Sequence, residues 1–120
     1  MSIDLREIIL RIKQNKDFNS HLCLDIGCKI EGDDAKPLIK AVNYIINYLK
    51  EAGHGEIQID LDSHRSKHQL VFIVHTEETN LPDPSERFNS ILKTYNSTFE
   101  WVFDPGKYVK CQLTFTVAQV

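Results

Sequence analysis

A run of apolar residues with helical spacing constrains the fold of this chain more than any other feature of its sequence. The apolar positions recur every three or four residues along one segment: Leu38, Ala41, Val42, Ile45, Ile46 and Leu49. Gly32-Asp33-Asp34 precedes this run, and Gly53 and Gly55 follow it, as is typical of a helix start and a helix stop. The spacing predicts an amphipathic helix whose apolar face must pack against a second layer.

The remaining apolar patterns predict that second layer. Strand-like patterns of apolar residues occur in five segments: residues 22–30, 57–61, 70–74, 99–103 and 109–117. The third segment is apolar on both faces, which predicts a central strand. Helical patterns also cover residues 5–12 and 88–95. The order α-β-α-β-β-α-β-β predicts an α/β (α+β) two-layer sandwich, with helices on one face of a mainly antiparallel mixed sheet. We expect one domain over residues 1–120, with an N-terminal helix at 1–17 and the sandwich at 22–117.

Charge and composition exclude several classes of protein. The chain has 14 Lys and Arg residues against 17 Asp and Glu residues, and its net charge of −3 leaves no basic surface for nucleic acid. No apolar run is long enough to cross a membrane. Cys23, Cys28 and Cys111 lack the spacing of metal ligands and are typical of a reducing compartment. We therefore expect a cytoplasmic protein that binds neither nucleic acid nor a membrane.

One part of the chain carries a family resemblance. It begins with Ile30-Glu31-Gly32-Asp33, continues in the helix with Asn43-Tyr44-Ile45-Ile46-Asn47, and ends in Gly55-Glu56-Ile57-Gln58-Ile59. A Gly-Asp turn, a helix with an N-box (N-L-L-x-N-A) and a Gly-x-Ile-x-Ile strand follow each other in the same way in sensor histidine kinases. The chain resembles the ATP-binding domain of those kinases and their GHKL relatives over residues 22–117. The resemblance implies their two-layer fold.

The resemblance implies a magnesium site if the helix is counted from Asp33. In the family, the last N-box asparagine gives an oxygen ligand to Mg²⁺, which bridges the phosphates of ATP. This count places Asn43 and Asn47 on the two family asparagines, with Asn47 as the metal ligand. The cofactor in this register would be Mg-ATP.

Counting from Asp34 gives a second register, which the apolar pattern favours. The first register puts Pro37 and Lys40 on core positions of the helix, and burying a lysine is costly. The second register puts only apolar residues there, and the family's asparagine positions then hold Tyr44 and Tyr48. We therefore expect both asparagines of the helix to be solvated.

The other nucleotide-binding motifs of the family are missing from this sequence. In the family, D-x-G-x-G follows the central strand, and its aspartate receives the adenine amino group. Here the chain reads His75-Thr76-Glu77-Glu78-Thr79, with His75 near the aspartate position and no glycine. The segment 80–98 also lacks the glycines of the family's lid, which bind phosphates through backbone N–H groups. These losses argue against ATP binding but leave the expected fold intact.

Two clusters of polar residues are interpreted as ordinary surface. His64, His68 and His75 would be three zinc ligands if they met, but the first two flank a hairpin loop predicted at residues 63–67. Asp60 and Asp62 share one strand face, which we interpret as its solvated side rather than as an acid–base pair. We expect no metal site.

A small enzyme of unknown substrate is one alternative function. Cys23 and His21 lie on the same predicted strand face, where a histidine would activate a thiol nucleophile. An inert surface thiol is the simpler interpretation. The other alternative is a nucleotide-binding GHKL domain in which Asn47 holds Mg²⁺.

The sequence favours a non-catalytic, ATP-binding-deficient GHKL-like domain that acts through protein contacts in signalling. Phe99, Trp101 and Phe103 form an aromatic stripe, which is usually core but on a strand near the sheet edge is also interpreted as a patch exposed for a partner. We expect that surface where the nucleotide pocket would have been, on residues 76–82, the two helix tyrosines and the indole: Tyr44, Tyr48, Thr76, Glu77, Glu78 and Trp101. The expected partner is a protein, either another chain or a second copy, and the expected cofactor is none.

Overall fold

The computed structural model of the chain describes residues 2–84 and 88–117. Its elements are, in order: β1 (Ser2–Asp4), α1 (Leu5–Asn15), β2 (Ser20–Leu24), β3 (Lys29–Glu31), α2 (Lys36–Ala52), β4 (His54–His64), β5 (Lys67–His75), α3 (Phe88–Lys93), β6 (Ser97–Asp104) and β7 (Tyr108–Thr116). Within the described residues, no helix is long and apolar enough to span a membrane.

The helix α2 forms as its apolar spacing predicts. The Asp34 carboxylate accepts a hydrogen bond from the Lys36 backbone N–H at 3.0 Å, which satisfies one free donor of the first turn. Gly53 ends the helix, and its N–H still donates to the Leu49 carbonyl oxygen at 3.0 Å. The buried face holds only apolar side chains: Leu38, Ala41, Val42, Ile45, Ile46, Leu49 and Ala52.

A five-stranded sheet lies under the helices in the order β2-β4-β5-β7-β6. Only β2 and β4 run parallel, and the other neighbours are antiparallel. The central strand is β5, as predicted. Alternate residues of the three inner strands are buried against the helices: Ile57, Ile59, Leu61, Leu70, Phe72, Val74, Val109, Cys111, Leu113 and Phe115. The predicted two-layer α+β architecture is confirmed.

The single strand predicted at residues 22–30 is wrong, because the chain turns in its middle. Gly27 has a φ of 84°, a left-handed conformation that breaks strand geometry, and Ile26 is 86% exposed rather than buried. The residues after this turn form β3, which leaves the main sheet and pairs with β1 in a small antiparallel sheet. The alternation of apolar residues continues through the turn, so the pattern alone did not reveal it.

The strand β1 was not predicted, because residues 2–4 look like the start of the helix. Its Asp4 instead caps α1 by accepting a hydrogen bond from the Arg6 N–H at 3.0 Å. The helix itself ends at Asn15 as predicted and buries Leu5, Ile8, Ile9 and Ile12.

The β4–β5 hairpin is tighter than the loop predicted at residues 63–67. His64 and Lys67 are paired in the ladder, so only Arg65 and Ser66 form the turn. His68 consequently lies in a strand and is buried, with Nε2 at 3.2 Å from the Lys29 carbonyl oxygen. That contact ties the small sheet to the main sheet.

The predicted start of α3 at residues 83–86 lies partly outside the described residues. Leu92 in the helix and Tyr95 just after it are buried as predicted, and Ile91 is half-buried. The Tyr95 hydroxyl donates to the Asp34 carbonyl oxygen at 2.6 Å, which joins this turn to the start of α2.

Candidate functional site

The burial of α2 fits the register counted from Asp34. Lys40 and Asn47 are exposed, and Asn43 is half-buried. Tyr44 and Tyr48 are also half-buried, and both pack against the rim of the core. The structure therefore places tyrosine rings, not Asn47, on the helix flank that joins the core.

Tyr48 connects α2 to two other parts of the chain. Its hydroxyl donates to the Pro82 carbonyl oxygen at 2.7 Å, which anchors the segment after β5 to the helix. Its ring meets the Trp101 indole edge to face, with centroids 6.5 Å apart at 81°. Burial raises the pKa of Tyr48 to about 12, although the neighbouring indole acts weakly in the opposite direction.

The indole of Trp101 also stacks on Phe103, with ring centroids 6.1 Å apart at 21°. We call Tyr48, Trp101 and Phe103 the aromatic cluster. The Trp101 Nε1 atom is buried and has no hydrogen-bond partner among the described residues. Since Trp101 and Phe103 lie on β6, the cluster spans the gap between α2 and the edge of the sheet.

The loop after β5 is held at both ends by hydrogen bonds. Thr76 is fully buried; its Oγ1 donates to the Ala52 carbonyl oxygen at 2.6 Å and accepts from the Glu78 N–H at 3.1 Å. The Thr76 N–H donates to the Lys107 carbonyl oxygen at 3.1 Å, and the Gly106 N–H donates to the Glu78 carbonyl oxygen at 2.8 Å. The loop is thus fixed to the end of α2 and to the β6–β7 turn.

Sequence reasoning singled out His75 at this position, but Thr76 is the residue that faces the helices. The inward positions of β5 alternate through Phe72 and Val74, and Thr76 continues them, whereas His75 is exposed. Thr76 was expected only as part of a surface loop. Its parity with Val74 was the signal that identifies it as an inward-facing residue.

The exposed part of the loop is acidic. Glu77 and Glu78 are both exposed, and Asp83 further along is exposed as well. The sequence contains no glycine between Gly55 and Gly106. A phosphate beside this loop would be close to carboxylates, and the loop has no glycine turn that would bring free N–H groups close to it.

The three histidines that were weighed as zinc ligands and interpreted as surface are not brought together. His64 ends β4 and is exposed, whereas His68 lies at the start of β5 and is buried, and His75 lies at the far end of β5. Across residues 2–84 and 88–117, no three His, Cys, Asp or Glu side chains are arranged to hold a metal ion.

The outer face of the β2–β4 pair carries the remaining candidates. Cys23 and His21 are both exposed there, and the His21 Nδ1 atom lies 4.0 Å from a Glu56 carboxylate oxygen. Asp60 accepts a hydrogen bond from the Gln58 amide at 3.1 Å, and Asp62 is exposed. These contacts are those of a solvated sheet face.

Two surface clefts lie away from the aromatic cluster. One, of about 490 Å³, is lined by the acidic turn before α2 and by residues after α3, including Asp33, Asp34 and Tyr95. The other, of about 420 Å³, lies between the end of α2 and the start of β4 and includes Lys50 and His54. Neither is lined by a residue that the sequence assigned to a nucleotide site.

Comparison with known proteins identifies the fold. No protein-family model matches the chain, and no curated protein matches it. Solved structures do match. The mycobacterial sensor histidine kinase MprB matches with a TM-score of 0.77 and 11% identity, covering 100% of this chain and 99% of that one.

Two further solved structures give the same result. The histidine kinase domain of the E. coli osmosensor EnvZ has a TM-score of 0.77 at 11% identity and covers 99% of this chain and 89% of its own. The catalytic domain of histidine kinase ThkA has a TM-score of 0.69 at 11% identity, over 100% and 98% of the two chains. The chain therefore has the histidine-kinase-type (GHKL) ATPase-domain fold, as the resemblance predicted.

Proposed function

We propose that this chain, which has the fold of the histidine-kinase ATPase domain, is an ATP-binding-deficient domain that acts as a protein-interaction module in signalling. The observation that carries the proposal is the placement of Tyr48. In the register that fits the burial of α2, Tyr48 takes the position of the metal-binding asparagine, and it contacts both Trp101 and Pro82.

A tyrosine in this setting is a poor substitute for a metal ligand. Mg²⁺ binds oxygen ligands such as carboxylates, amide carbonyls and water. The Tyr48 hydroxyl is protonated at neutral pH, and burial raises its pKa further, to about 12. It donates its hydrogen bond to the Pro82 carbonyl oxygen. The side chain thus offers structural contacts in place of the amide oxygen that an asparagine would give to the metal.

The loop after β5 supports the same conclusion. A phosphate site built from backbone needs N–H groups that are free to point at the ligand. Here the N–H groups of Thr76 and Glu78 already donate within the protein. The carboxylates of Glu77 and Glu78 add negative charge at the position where a polyphosphate would approach.

The surface that remains is suited to contact with a protein. Half-buried aromatic rings beside an exposed polar loop are typical of interaction surfaces. We assign this surface to the helix tyrosines, the loop and the edge indole: Tyr44, Tyr48, Thr76, Glu77, Glu78 and Trp101. The three free cysteines agree with a reducing, cytoplasmic setting for this role.

Thermal unfolding with millimolar Mg-ATP or Mg-ADP, against Mg²⁺ alone, tests the loss of nucleotide binding. A ligand present at about 100 times its Kd adds about 2.7 kcal/mol, which would raise the melting temperature of a domain this size by roughly 10 °C. We expect no shift with either nucleotide. A Mg²⁺-dependent shift that Asn47→Ala removes and Lys40→Ala keeps would overturn the proposal and establish the register counted from Asp33.

The interaction role is tested on the acidic loop. Partners captured by the immobilised chain from its own cell extract should be lost in a Glu77→Lys/Glu78→Lys variant, because the charge of the assigned surface is reversed. Glu51→Lys is the matched control, since Glu51 is exposed on α2 outside the assigned surface. Partners that survive the loop variant and are lost with the control would show that the surface is assigned wrongly.

A further inference from the structure

The strand β6 forms one edge of the five-stranded sheet. Within the described residues its only strand neighbour is β7, with which it pairs over all of Ser97–Asp104. The opposite edge is β2, which is shorter and spans Ser20–Leu24. An edge strand presents a row of backbone N–H and C=O groups on which another extended strand can pair.

Natural edge strands usually carry features that prevent such pairing, and β6 has few of them. The common protections are charged side chains, above all lysine, together with proline, a β-bulge and very short length. The segment 97–104 contains no lysine, arginine or proline, and its ladder with β7 runs without a register shift over 8 residues. Its charged residues are Glu100 and Asp104, and Val102 between them is 38% exposed.

We propose that β6 pairs with β6 of a second copy of this chain, antiparallel and centred on Trp101. The pairing joins the two five-stranded sheets into one continuous sheet, with the helices of both copies on the same face. Backbone hydrogen bonds across the new seam supply the attraction, as in other strand additions.

The sequence of β6 selects both the occupant and the register. In a two-fold antiparallel pair, residues on the same sheet face oppose each other, so the positions that meet are both odd or both even. A two-fold centred on Glu100 brings the two Glu100 carboxylates together. A two-fold centred on Val102 opposes Glu100 and Asp104. Like charges directly opposite one another are destabilising, so neither register is favourable.

The register centred on Trp101 avoids every such clash and uses nearly the whole strand. On the outer face it opposes Glu100 with Val102 and Thr98 with Asp104. On the inner face it opposes Trp101 with Trp101 and Phe99 with Phe103, and aromatic cross-strand pairs are among the stabilising ones. The strand is therefore complementary to itself, which is why a second copy is the occupant we infer.

The inference rests on the proposed function at one point only: it names a second copy of this chain as a protein partner of the assigned surface. Trp101 belongs to the assigned surface and lies at the centre of the new seam. The two ideas fail separately. A monomer that binds no nucleotide would overturn the pairing alone, whereas a dimer that binds Mg-ATP would overturn the proposed loss of nucleotide binding alone.

The test is the molar mass of the full chain by light scattering at about 100 μM, a concentration at which a micromolar dimer is almost fully formed. We expect twice the chain mass of 13.9 kDa. Val102→Glu places a second carboxylate against Glu100 at two symmetric positions, and it should weaken the dimer at least about tenfold. Glu100→Lys added to Val102→Glu turns both oppositions into ion pairs and should restore the dimer.

Ile26→Glu is the matched control, because Ile26 is 86% exposed and lies outside the main sheet. It should leave the dimer intact. Trp101 is the sole tryptophan of the chain, so its emission on dilution gives an independent measure of dissociation. The pairing would be overturned if the wild type is a monomer or if Val102→Glu leaves the dimer unchanged. It would also be overturned if the double variant stays monomeric or if Ile26→Glu is a monomer.

Discussion

The Thr76 hydroxyl donates a hydrogen bond to the Ala52 carbonyl oxygen at 2.6 Å, and it joins the end of the central strand to the last turn of the long helix. The same oxygen accepts from the Glu78 N–H at 3.1 Å. Because Thr76 and its hydrogen bond to Ala52 are buried, the Ala52 carbonyl oxygen has no water as a ready substitute. The hydroxyl therefore fixes the loop after β5 to the last turn of α2.

We expect Thr76→Val to destabilise the protein by about 1–3 kcal/mol, because it preserves shape but leaves the buried Ala52 carbonyl oxygen without a partner and removes the acceptor of the Glu78 N–H. Thr76→Ser is the control. It keeps the hydroxyl and loses one methyl group, which costs about 1 kcal/mol. Urea unfolding of both variants measures the difference. Equal stability of the valine and wild-type proteins would show that the hydrogen bonds contribute nothing.

The elements that the sequence predicted are those with a local period. The spacing from Leu38 to Leu49 specifies α2 because each apolar residue is three or four positions from the next. The break between β2 and β3 was not predicted, because it needs only one left-handed residue, Gly27, and leaves the apolar alternation unchanged. The strand β1 was not predicted, because its three residues are too few to show the apolar alternation of a strand.

The candidate site could be predicted only in part, since its contacts are not local. The tyrosines of α2 follow from the helix register, and the inward direction of Thr76 follows from its parity with Val74. The bond between Tyr48 and Pro82 joins positions 34 residues apart, and no periodicity encodes it. Its formation depends on where the loop after β5 leads, which the sequence pattern does not specify.

The ionisation of Tyr48 gives a prediction at alkaline pH. Its folded pKa of about 12 lies above the ordinary value of 10.0, so the neutral phenol is favoured in the folded state. The unfolded chain then loses this proton first as pH rises, and stability present below pH 10.0 falls as pH approaches 12. We expect Tyr48→Phe to lose less stability over this interval than the wild type.

Near-ultraviolet titration of phenolate absorbance checks the assignment directly. The difference between wild type and Tyr48→Phe should titrate near 12 rather than near 10.0. Tyr108→Phe is the control, because Tyr108 is 37% exposed. A Tyr48 difference curve at the ordinary tyrosine pKa would contradict the burial described for this side chain.

The three cysteines should differ sharply in their reactivity. Cys23 is exposed, whereas Cys28 and Cys111 are buried. Burial also raises the pKa of Cys28, and it raises that of Cys111 to about 12, so the reactive thiolate is scarce at both positions. A thiol reagent should therefore modify one cysteine quickly in the folded protein and all three after unfolding.

Cys23→Ser should abolish the fast reaction and leave the melting temperature nearly unchanged, since the Cys23 side chain is exposed on the solvated face of the sheet. Cys111→Ser is the contrasting variant, because it places a hydroxyl in the apolar core and should destabilise the protein by about 1–3 kcal/mol. Fast modification of a second cysteine in the native state would contradict the burial of the core cysteines.

The end of α2 packs too closely against β5 to accept a side chain at Gly53. A Cβ there would lie 2.5 Å from the His75 carbonyl oxygen and 2.6 Å from a Val74 methyl group. The first of these atoms belongs to the backbone of the central strand and cannot rotate away. We expect Gly53→Ala to cost about 1–3 kcal/mol, as overpacking does elsewhere.

Gly106 separates this steric effect from a backbone effect. It has a φ of +72° and open space around it, so an alanine there is opposed by left-handed geometry alone, at about 1–2 kcal/mol. Asparagine tolerates that geometry, so Gly106→Asn should recover most of the stability that Gly106→Ala loses. At Gly53, asparagine should be no better than alanine, because its Cβ meets the same atoms. Urea unfolding of the four variants distinguishes the two causes, and recovery at Gly53 would show that β5 and α2 can move apart there.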